Sequence, residues 1–480
     1  MMVPVKRRKL SLPVPEPETI VKFPHIVIFL IERKMGASRR TFLSQLGRKN
    51  GFQIEDNFSA GVTHVISENN SGDEVRMWLD LQPKGQTKAT VKLLDISWFT
   101  ESMRAGRPVE ILDKHELQVV LPDKEQFLMP SYACQRLTPL ESHNNKFTEA
   151  LSLLAENAEL NNEEGRAVAF RRAAAVLKAL PVMVTSATQL RGLPCLGEHS
   201  QRVIKDIIEN GVSNEVESTM HSERFKALKL LTGIFGVGAK TADRWFKEGI
   251  QSLTQLVHSG HELNPAQQAG LEHYHDLNQP VTKAEAEAIG DIVRRVVLDV
   301  LPGSEMTLTG GFRRGKMTGH DVDFLITHPD EGKETGLISK VVSLLTAQGL
   351  LLYQKTTRNS YMENKGRLAQ PSSTMDRFER CFCIFKLEIK EMRPDKDWRA
   401  VRVDLVVAPI SQYAFAVLGW TGSKLFEREL RRWASQVKSM SLSSHALFDI
   451  KQCKYLRTTS EEEIFSHLGL EFIPPTERNA

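Results

Sequence analysis

At 480 residues, with 41% hydrophobic and 25% charged side chains, the chain has a globular composition but is too long for one core, so roughly two to four domains are expected. No apolar run is long enough to cross a bilayer and the start lacks the apolar stretch of a secretory signal, which sets aside membrane-spanning and secreted classes. Five scattered cysteines (Cys134, Cys195, Cys381, Cys383, Cys453), without metal-site spacing, exclude a disulfide framework and a structural zinc and fit a reducing compartment. The net charge of +4 identifies no partner; where positive charge gathers matters more.

In chain order, residues 1–21 form a Pro-rich leader expected to be disordered. Its Lys6-Arg7-Arg8-Lys9 cluster reads as a nuclear address, a loose nucleic-acid contact or solvated charge alone. The first folded block, 22–115, opens with the buried-strand run Ile26–Ile31. A helix over Arg39–Leu46, Gly51, a strand Thr63–Ile66, a helix carrying Trp78 and the closing run Leu93–Phe99 follow. This alternation predicts a small α/β sandwich of ~100 residues. The glycine after the first helix, "THVIS" and "DISWFTES" resemble a BRCT domain, with Trp98 as a core plug. Arg39 and Arg40 read equally as a solvated helix end or as a patch for DNA or a protein partner.

Residues 116–136 turn polar and Pro-containing and are read as a linker. A helical block, 137–230, then places Phe147, Leu151, Leu154 and Ala158 on one face and Phe170, Ala173, Leu177 and Leu180 on another. Arg171, Arg172 and Lys178 lie opposite the second stripe, as a solvated face unless a phosphate is near. Two segments, "LPCLGEHSQRVIKDIIENG" and "IFGVGAKTADRWFKEG", put glycine in a turn directly before an amphipathic helix, the second with Gly236, Gly238 and then Lys240. Such turns expose N–H groups that attract phosphate, and they resemble helix-hairpin-helix grips on DNA backbone.

From Leu301 strands appear: Met306–Leu308, Val322–Thr327, Leu350–Tyr353, Cys381–Leu387 and Val401–Val407, the mark of a mixed α+β domain. The stretch Gln354–Glu379 is polar, lacks apolar periodicity and reads as a long loop. It is either a loose surface insertion or a functional segment. The chemistry lies in "TGGFRRGK" (309–316) followed by "GHDVDFLI" (319–326). Asp321 and Asp323, two apart on a strand, project from one face, and two unscreened carboxylates need cations. Asp404, in the apolar strand "VRVDLVV", supplies a third, costly to bury unpaired. Hard oxygen ligands of this kind suit magnesium, and the set could hold the metal pair of a phosphoryl-transfer site. Gly310 and Gly311 allow close backbone approach while Arg314 and Lys316 supply charge for a triphosphate.

"GGFRRGK…GHDVDFLIT", "VRVDLVV" and "GWTGSKLFERELRR" together resemble the X family of DNA polymerases, over nearly the whole chain from Lys22 onward. The resemblance implies a multidomain α+β protein: BRCT domain, helical DNA-end-binding domain (137–230), fingers with a second hairpin (231–288), catalytic palm (289–424) and thumb (425–480). It implies that Asp321, Asp323 and Asp404 bind two Mg²⁺ ions, which Mn²⁺ could replace, and that Asp404 helps deprotonate the primer 3′-hydroxyl. Gly311, Arg314, Lys316 and His320 would bind the nucleotide, Gly419 and Trp420 would line its sugar pocket, and Arg380, Lys424 and Arg431 would contact DNA. Carbonyls of Thr232, Ile234 and Val237 would hold Na⁺ or K⁺. Lyase-active relatives need a lysine where this chain has Val203, so Arg172, His199 and Arg202 would grip a 5′-phosphate without lyase chemistry. Some relatives place a tyrosine where Gly419 stands, and its loss removes a wall against a ribose 2′-hydroxyl.

The expected protein is a monomeric nuclear polymerase that fills gaps and extends broken DNA ends, with (deoxy)nucleoside triphosphates as substrates and Ku and the ligase IV assembly as partners through the BRCT domain. Its rivals are a template-independent terminal transferase and, from another class, a non-catalytic BRCT adaptor bridging DNA ends. Clustered carboxylates argue against the adaptor.

Overall fold

The computed structural model describes residues 21–32, 34–80, 91–117, 129–360, 376–388 and 397–480. The chain divides into two units, 1–127 and 128–480, each described by itself. In the first, strands β1 (Phe23–Leu30), β2 (Phe52–Glu55), β3 (His64–Ser67) and β4 (Lys92–Asp95) form a wholly parallel sheet in the order β2-β1-β3-β4. Helices α1 (Ala37–Lys49) and α2 (Gly72–Asp80) connect β1 to β2 and β3 to β4, and α3 (Ile96–Ala105) follows β4. Alternate side chains serve opposite layers. Ile28, Leu30, Ile66 and Leu94 pack with Leu43, Trp98 and Phe99; Phe29, Ile31, Val65 and Leu93 pack with Val75 and Leu79. A parallel sheet buried on both faces gives such apolar runs. Trp98 is a core residue, its indole N–H donating to the Val109 carbonyl at 3.0 Å and its ring stacked on His64. β2 was not anticipated, although Phe52 and Ile54 alternate with polar residues directly after Gly51, whose φ of +91° needs glycine.

In the second unit, α4 (Asn145–Leu160) and α5 (Glu164–Lys178) bury the expected stripes in one core with Val203 and Ile207 of α6 (Glu198–Asn210). Helices α7 (Asn214–His221), α8 (Glu223–Thr232), α9 (Ala239–Lys247), α10 (Leu253–His258), α11 (Pro265–Glu272) and α12 (Tyr274–Leu277) follow, most of them around Trp245. Gly197 caps α6 and Gly238 caps α9, both in extended backbone. Gly236 has φ +84°, and a Cβ there would press on the Ala266 methyl at 3.0 Å.

Strand β5 (Val281–Thr282) leads into α13 (Lys283–Val300). After it come β6 (Glu305–Leu308), α14 (Gly310–Arg313), β7 (Thr318–Gly319), which pairs with β5, β8 (Val322–Thr327), α15 (Leu337–Ala347), β9 (Leu351–Thr357), β10 (Glu379–Glu388) and β11 (Trp398–Val407). The main sheet runs β6-β8-β11-β10-β9, with β8 and β11 parallel and the other neighbours antiparallel. Phe324 and Leu405 face the core under α13 and α15. Leu325 and Val406 face α16 (Tyr413–Thr421). The two-residue period puts Asp323 and Asp404 on this second face. The chain continues through α17 (Lys424–Gln436), β12 (Met440–Leu442), β13 (Leu447–Asp449), β14 (Lys454–Leu456) and α18 (Glu461–His467), packed around Phe426, Leu430 and Phe465.

The polar stretch does not begin at Gln354. Residues 354–357 extend β9, with Gln354 opposite Cys383 and Thr357 opposite Arg380. β9 is an edge strand whose side chains are largely solvated, so no apolar alternation marked it. Residues 361–375, the body of that expected loop, lie outside the described residues. Residues 129–136 are ordered: Cys134 and Arg136 are buried, and Tyr132 lies edge-on to Trp433 of α17 at 5.2 Å.

Candidate active site

Asp323 and Asp404 are direct partners in the parallel β8–β11 register, and Asp321 precedes β8. Oxygens from all three lie within 4.8 Å of one another. Burial, then the charges of Asp321 and Asp404, hold the Asp323 carboxyl well above the ordinary carboxylate range. Burial also raises Asp404, against the pull of Arg402. The Arg402 guanidinium donates to Asp404 Oδ2 at 3.0 Å and lies 3.8 Å from Asp321 Oδ2. Asp404 Oδ1 is buried with no hydrogen-bond partner. Three carboxylates this close together, one of them with an orphaned, desolvated oxygen, fit a divalent cation. Sequence reasoning passed over Arg402, although it lies two residues before Asp404 on the same strand face.

The 309–316 loop is fitted to this cluster. Thr309 N donates to the Asp323 carbonyl at 2.9 Å. Gly310 has φ +61°, and a Cβ there would collide with Asp323 Oδ2. Arg313 and Arg314 diverge: Arg313 makes a two-pronged ion pair with buried Glu461, while Arg314 lines the cleft, its Nε donating to Asn479 Oδ1 at 3.1 Å and another nitrogen to the Thr421 carbonyl. Gly311 lies against the stem of Lys316, whose pKa is lowered by burial and by Arg314.

The cleft has a volume of about 870 Å³ and is lined by the three aspartates, Gly311, Arg314, Gly419, Trp420, Lys424 and Arg431. Trp420 is oriented by a 2.7 Å bond from its indole N–H to Asp376, which also faces Arg380 at 3.7 Å. A Cβ on Gly419 would lie 2.7 Å from Ser444 Oγ, which bonds Arg431 at 3.2 Å.

Glu427 also lines the cleft, and it too escaped sequence reading. Its signal is position: it shares the buried face of α17 with Leu430 and Ala434. Burial pushes its carboxyl up to about 7, against Arg431 and Arg478. A carboxyl raised in this way binds its proton more tightly folded than unfolded, so stability falls as pH rises from its ordinary value of 4.5 towards 7. Glu427→Gln should remove that dependence and stabilise the DNA-free protein at pH 8 by on the order of 1–3 kcal/mol. Thermal unfolding at pH 6 and pH 8 measures this; a variant no more stable than the parent at pH 8 would refute it.

A neighbouring opening contains His320 with Thr232, Ile234, Gly236 and Val237 of the second hairpin, and shares Asp321, Phe382 and Arg402 with the cleft. The Ile234 carbonyl accepts the Val237 N–H at 3.0 Å. Gly238 and Lys240 are exposed at the start of α9.

The first hairpin gathers His199, Arg202 and an unanticipated Arg166 on Glu215, at 2.7, 3.5 and 3.7 Å. Arg172 is committed elsewhere, to buried Glu429 of α17 at 2.6 Å. Val203 is 1% exposed within the helical core. Borohydride should therefore trap no adduct between this protein and an abasic 5′ end; a trapped adduct would mean a lysine elsewhere forms the imine. In the first unit, Arg39 pairs with Glu68 at 2.8 Å, and Arg40 is used internally, donating to the carbonyls of Leu30 and Asp56.

Four family models match the chain: a helix-hairpin-helix domain over residues 142–213, the fingers domain of DNA polymerase lambda over 229–278, the DNA polymerase beta palm over 281–409 and the DNA polymerase beta thumb over 416–479. The chain is 50% identical over 473 residues to human DNA-directed DNA/RNA polymerase mu, covering 96% of this chain and 95% of the relative. It is 46% identical to the DNA nucleotidylexotransferase of Ambystoma mexicanum, covering 96% and 94%. To that of Bos taurus it is 43% identical, covering 98% and 97%.

Proposed function

The chain belongs to the X family of DNA polymerases and is a DNA-directed nucleotidyltransferase, and on that premise we propose that it fills gaps and extends broken DNA ends in the nucleus, in double-strand break repair by end joining. The observation that supports this reading best is the convergence of Asp321, Asp323 and Asp404 beside the glycine-arginine loop. Two Mg²⁺ ions, or Mn²⁺ in their place, would be held by these carboxylates and would neutralise charge on the reacting phosphate. Arg402 fixes one oxygen of Asp404 and leaves the other, which is buried, without a hydrogen-bond partner. Asp404 would take the proton of the primer 3′-hydroxyl as that oxygen attacks the α-phosphorus and pyrophosphate leaves. Gly311, Arg314 and Lys316 hold the triphosphate, and His320 steadies the primer terminus.

The first unit, with its parallel sheet and Trp98 core, is read as a BRCT domain that would recruit the protein to an end-bound assembly of Ku and the ligase IV complex. The second divides into a DNA-end-binding domain, fingers, palm and thumb at about the bounds given above. Thr232, Ile234 and Val237 are proposed to hold a monovalent cation against the DNA backbone. His199, Arg202 and Arg166 would receive a 5′-phosphate in place of Glu215.

Gly419 leaves no side chain against the 2′ position, so ribonucleotides should be rejected by less than about 10²-fold. In a competition assay, rejection beyond that level would place the wall on another residue. The proposed function itself is tested by comparing a one-nucleotide gap with a blunt single strand. The gap should be filled with the base complementary to the template, much faster than the single strand is extended. Equal extension of both would favour a template-independent transferase, and no extension despite DNA binding would favour an adaptor.

A further inference from the structure

Phe235 sits in the turn of the second hairpin, yet its half-buried side chain reaches the main sheet. Its ring stands edge-on to Tyr353 of β9 at 5.6 Å, and the Arg402 guanidinium of β11 lies over it at 5.7 Å. Tyr353, Ile384 and Arg402 are direct partners across β9, β10 and β11. Tyr353 and Arg402 are therefore two strand spacings, roughly 10 Å, apart, and the ring bridges them. The backbone that carries this ring is tightly held. A Cβ on Gly270 of α11 would lie 2.6 Å from both the nitrogen and the oxygen of Phe235. The next carbonyl, that of Gly236, accepts Gln267 Nε2 at 3.4 Å. Arg402 itself meets Asp404 and Asp321 through its two terminal nitrogens, while its Nε is buried without a hydrogen-bond partner. Bonds from one edge do not fix the plane of a guanidinium; an aromatic face packed against it does.

We infer that Phe235 is a positioning residue of the active site: its ring seats Arg402, so that the guanidinium holds Asp404 and Asp321 in place and leaves Asp404 Oδ1 for a divalent ion. The inference rests on the reading of these carboxylates as metal ligands. Phe235 acts through Arg402 and not on the reacting atoms. It stands between Ile234 and Gly236, in the turn proposed to meet the DNA backbone. The turn that grips DNA would thereby also order the carboxylate beside the primer end. An attraction between a cation and an aromatic face is worth up to about 10-fold in a rate that depends on it.

The test is a double-mutant cycle of Phe235→Leu and Arg402→Gln in the full chain, on a one-nucleotide gapped duplex. Phe235→Leu should lower kcat about 10-fold. It should leave KM for the nucleotide and affinity for the duplex within about twofold of the parent. Phe235→Tyr, which keeps the ring, should restore most of the rate. In the Arg402→Gln background, Phe235→Leu should cost less than about twofold more, because the contact is already gone. The metal-free protein gives a second reading: in chelator, Phe235→Leu should lower the unfolding temperature of the parent more than that of Arg402→Gln. Equal losses in the two backgrounds, of rate or of unfolding temperature, would overturn the inference. So would weakened DNA binding with kcat intact, which would make Phe235 a DNA contact alone. Asp404→Ala separates the two readings. If it retains normal extension, the reading of the carboxylates as metal ligands fails, and this inference with it. If it is inactive while Phe235→Leu keeps the parental kcat, only the role of Phe235 fails.

Discussion

Asp404→Ala and Asp323→Asn should each lower the rate of nucleotide addition by at least about 10³-fold, because they would remove the proposed ligands of the charge-stabilising ions at the reacting phosphate. Affinity for gapped DNA should change little, since these carboxylates face the cleft and not the hairpins. Asp323→Asn carries a second expectation that a misfolded variant could not meet. The Asp323 carboxyl is raised by burial and by two neighbouring carboxylates, so at neutral pH its charge opposes folding. The sign follows from linkage: a carboxyl with a folded pKa above its unfolded one loses stability as pH rises through that interval. In chelator at pH 7.5, Asp323→Asn should therefore unfold at a higher temperature than the parent while being nearly inactive. Near-normal single-turnover extension, or a lower unfolding temperature with lost activity, would count against this account of the site.

Gly310→Ala tests the fit of the phosphate loop to the same carboxylate. The position has φ +61°, and the new methyl would occupy the space of Asp323 Oδ2. Left-handed backbone at a non-glycine residue costs about 1–2 kcal/mol, and the collision must also displace either the loop or the aspartate. Extension should fall by about 10²-fold, since small displacements of reacting groups are costly, with a loss of stability of about 1–3 kcal/mol. Gly332→Ala is the control. That glycine also has positive φ, but nothing lies near its missing Cβ, so it should show the backbone cost without the loss of rate. Equal rates in the two variants would mean that the methyl at position 310 is accommodated.

The carboxylates were legible because strand geometry is periodic: spacing two apart, and an acid in an otherwise apolar run, both survive in the bare sequence. The glycine turn before α9 was legible for a similar reason, since Gly236 has φ +84° and little room for a Cβ. The rest depended on partners far along the chain. Arg171, Arg172 and Lys178 form one basic stripe in the sequence, but they meet Glu159, Glu429 and Asn479 respectively. Nothing local distinguishes them. Arg39 and Arg40 are adjacent and chemically alike, yet one pairs at the surface and the other ties α1 to β1 through a main-chain oxygen. Arg402 and Glu427 carried signals that could have been used, one by strand parity with Asp404 and the other by its place on the buried face of a helix. The end of β9 could not be read, because an edge strand accepts polar side chains and loses the alternation that marks a strand.

Asp321, Asp323 and Asp404 are proposed to form a site for two divalent ions at the primer end. It is tested most directly by counting bound Mn²⁺ by electron paramagnetic resonance, on a complex with a gapped duplex whose primer lacks its 3′-hydroxyl and with the next nucleotide present. Two ions per protein are expected in the parent and at most one in Asp404→Ala. Two ions retained in Asp404→Ala, or none in the parent, would contradict it.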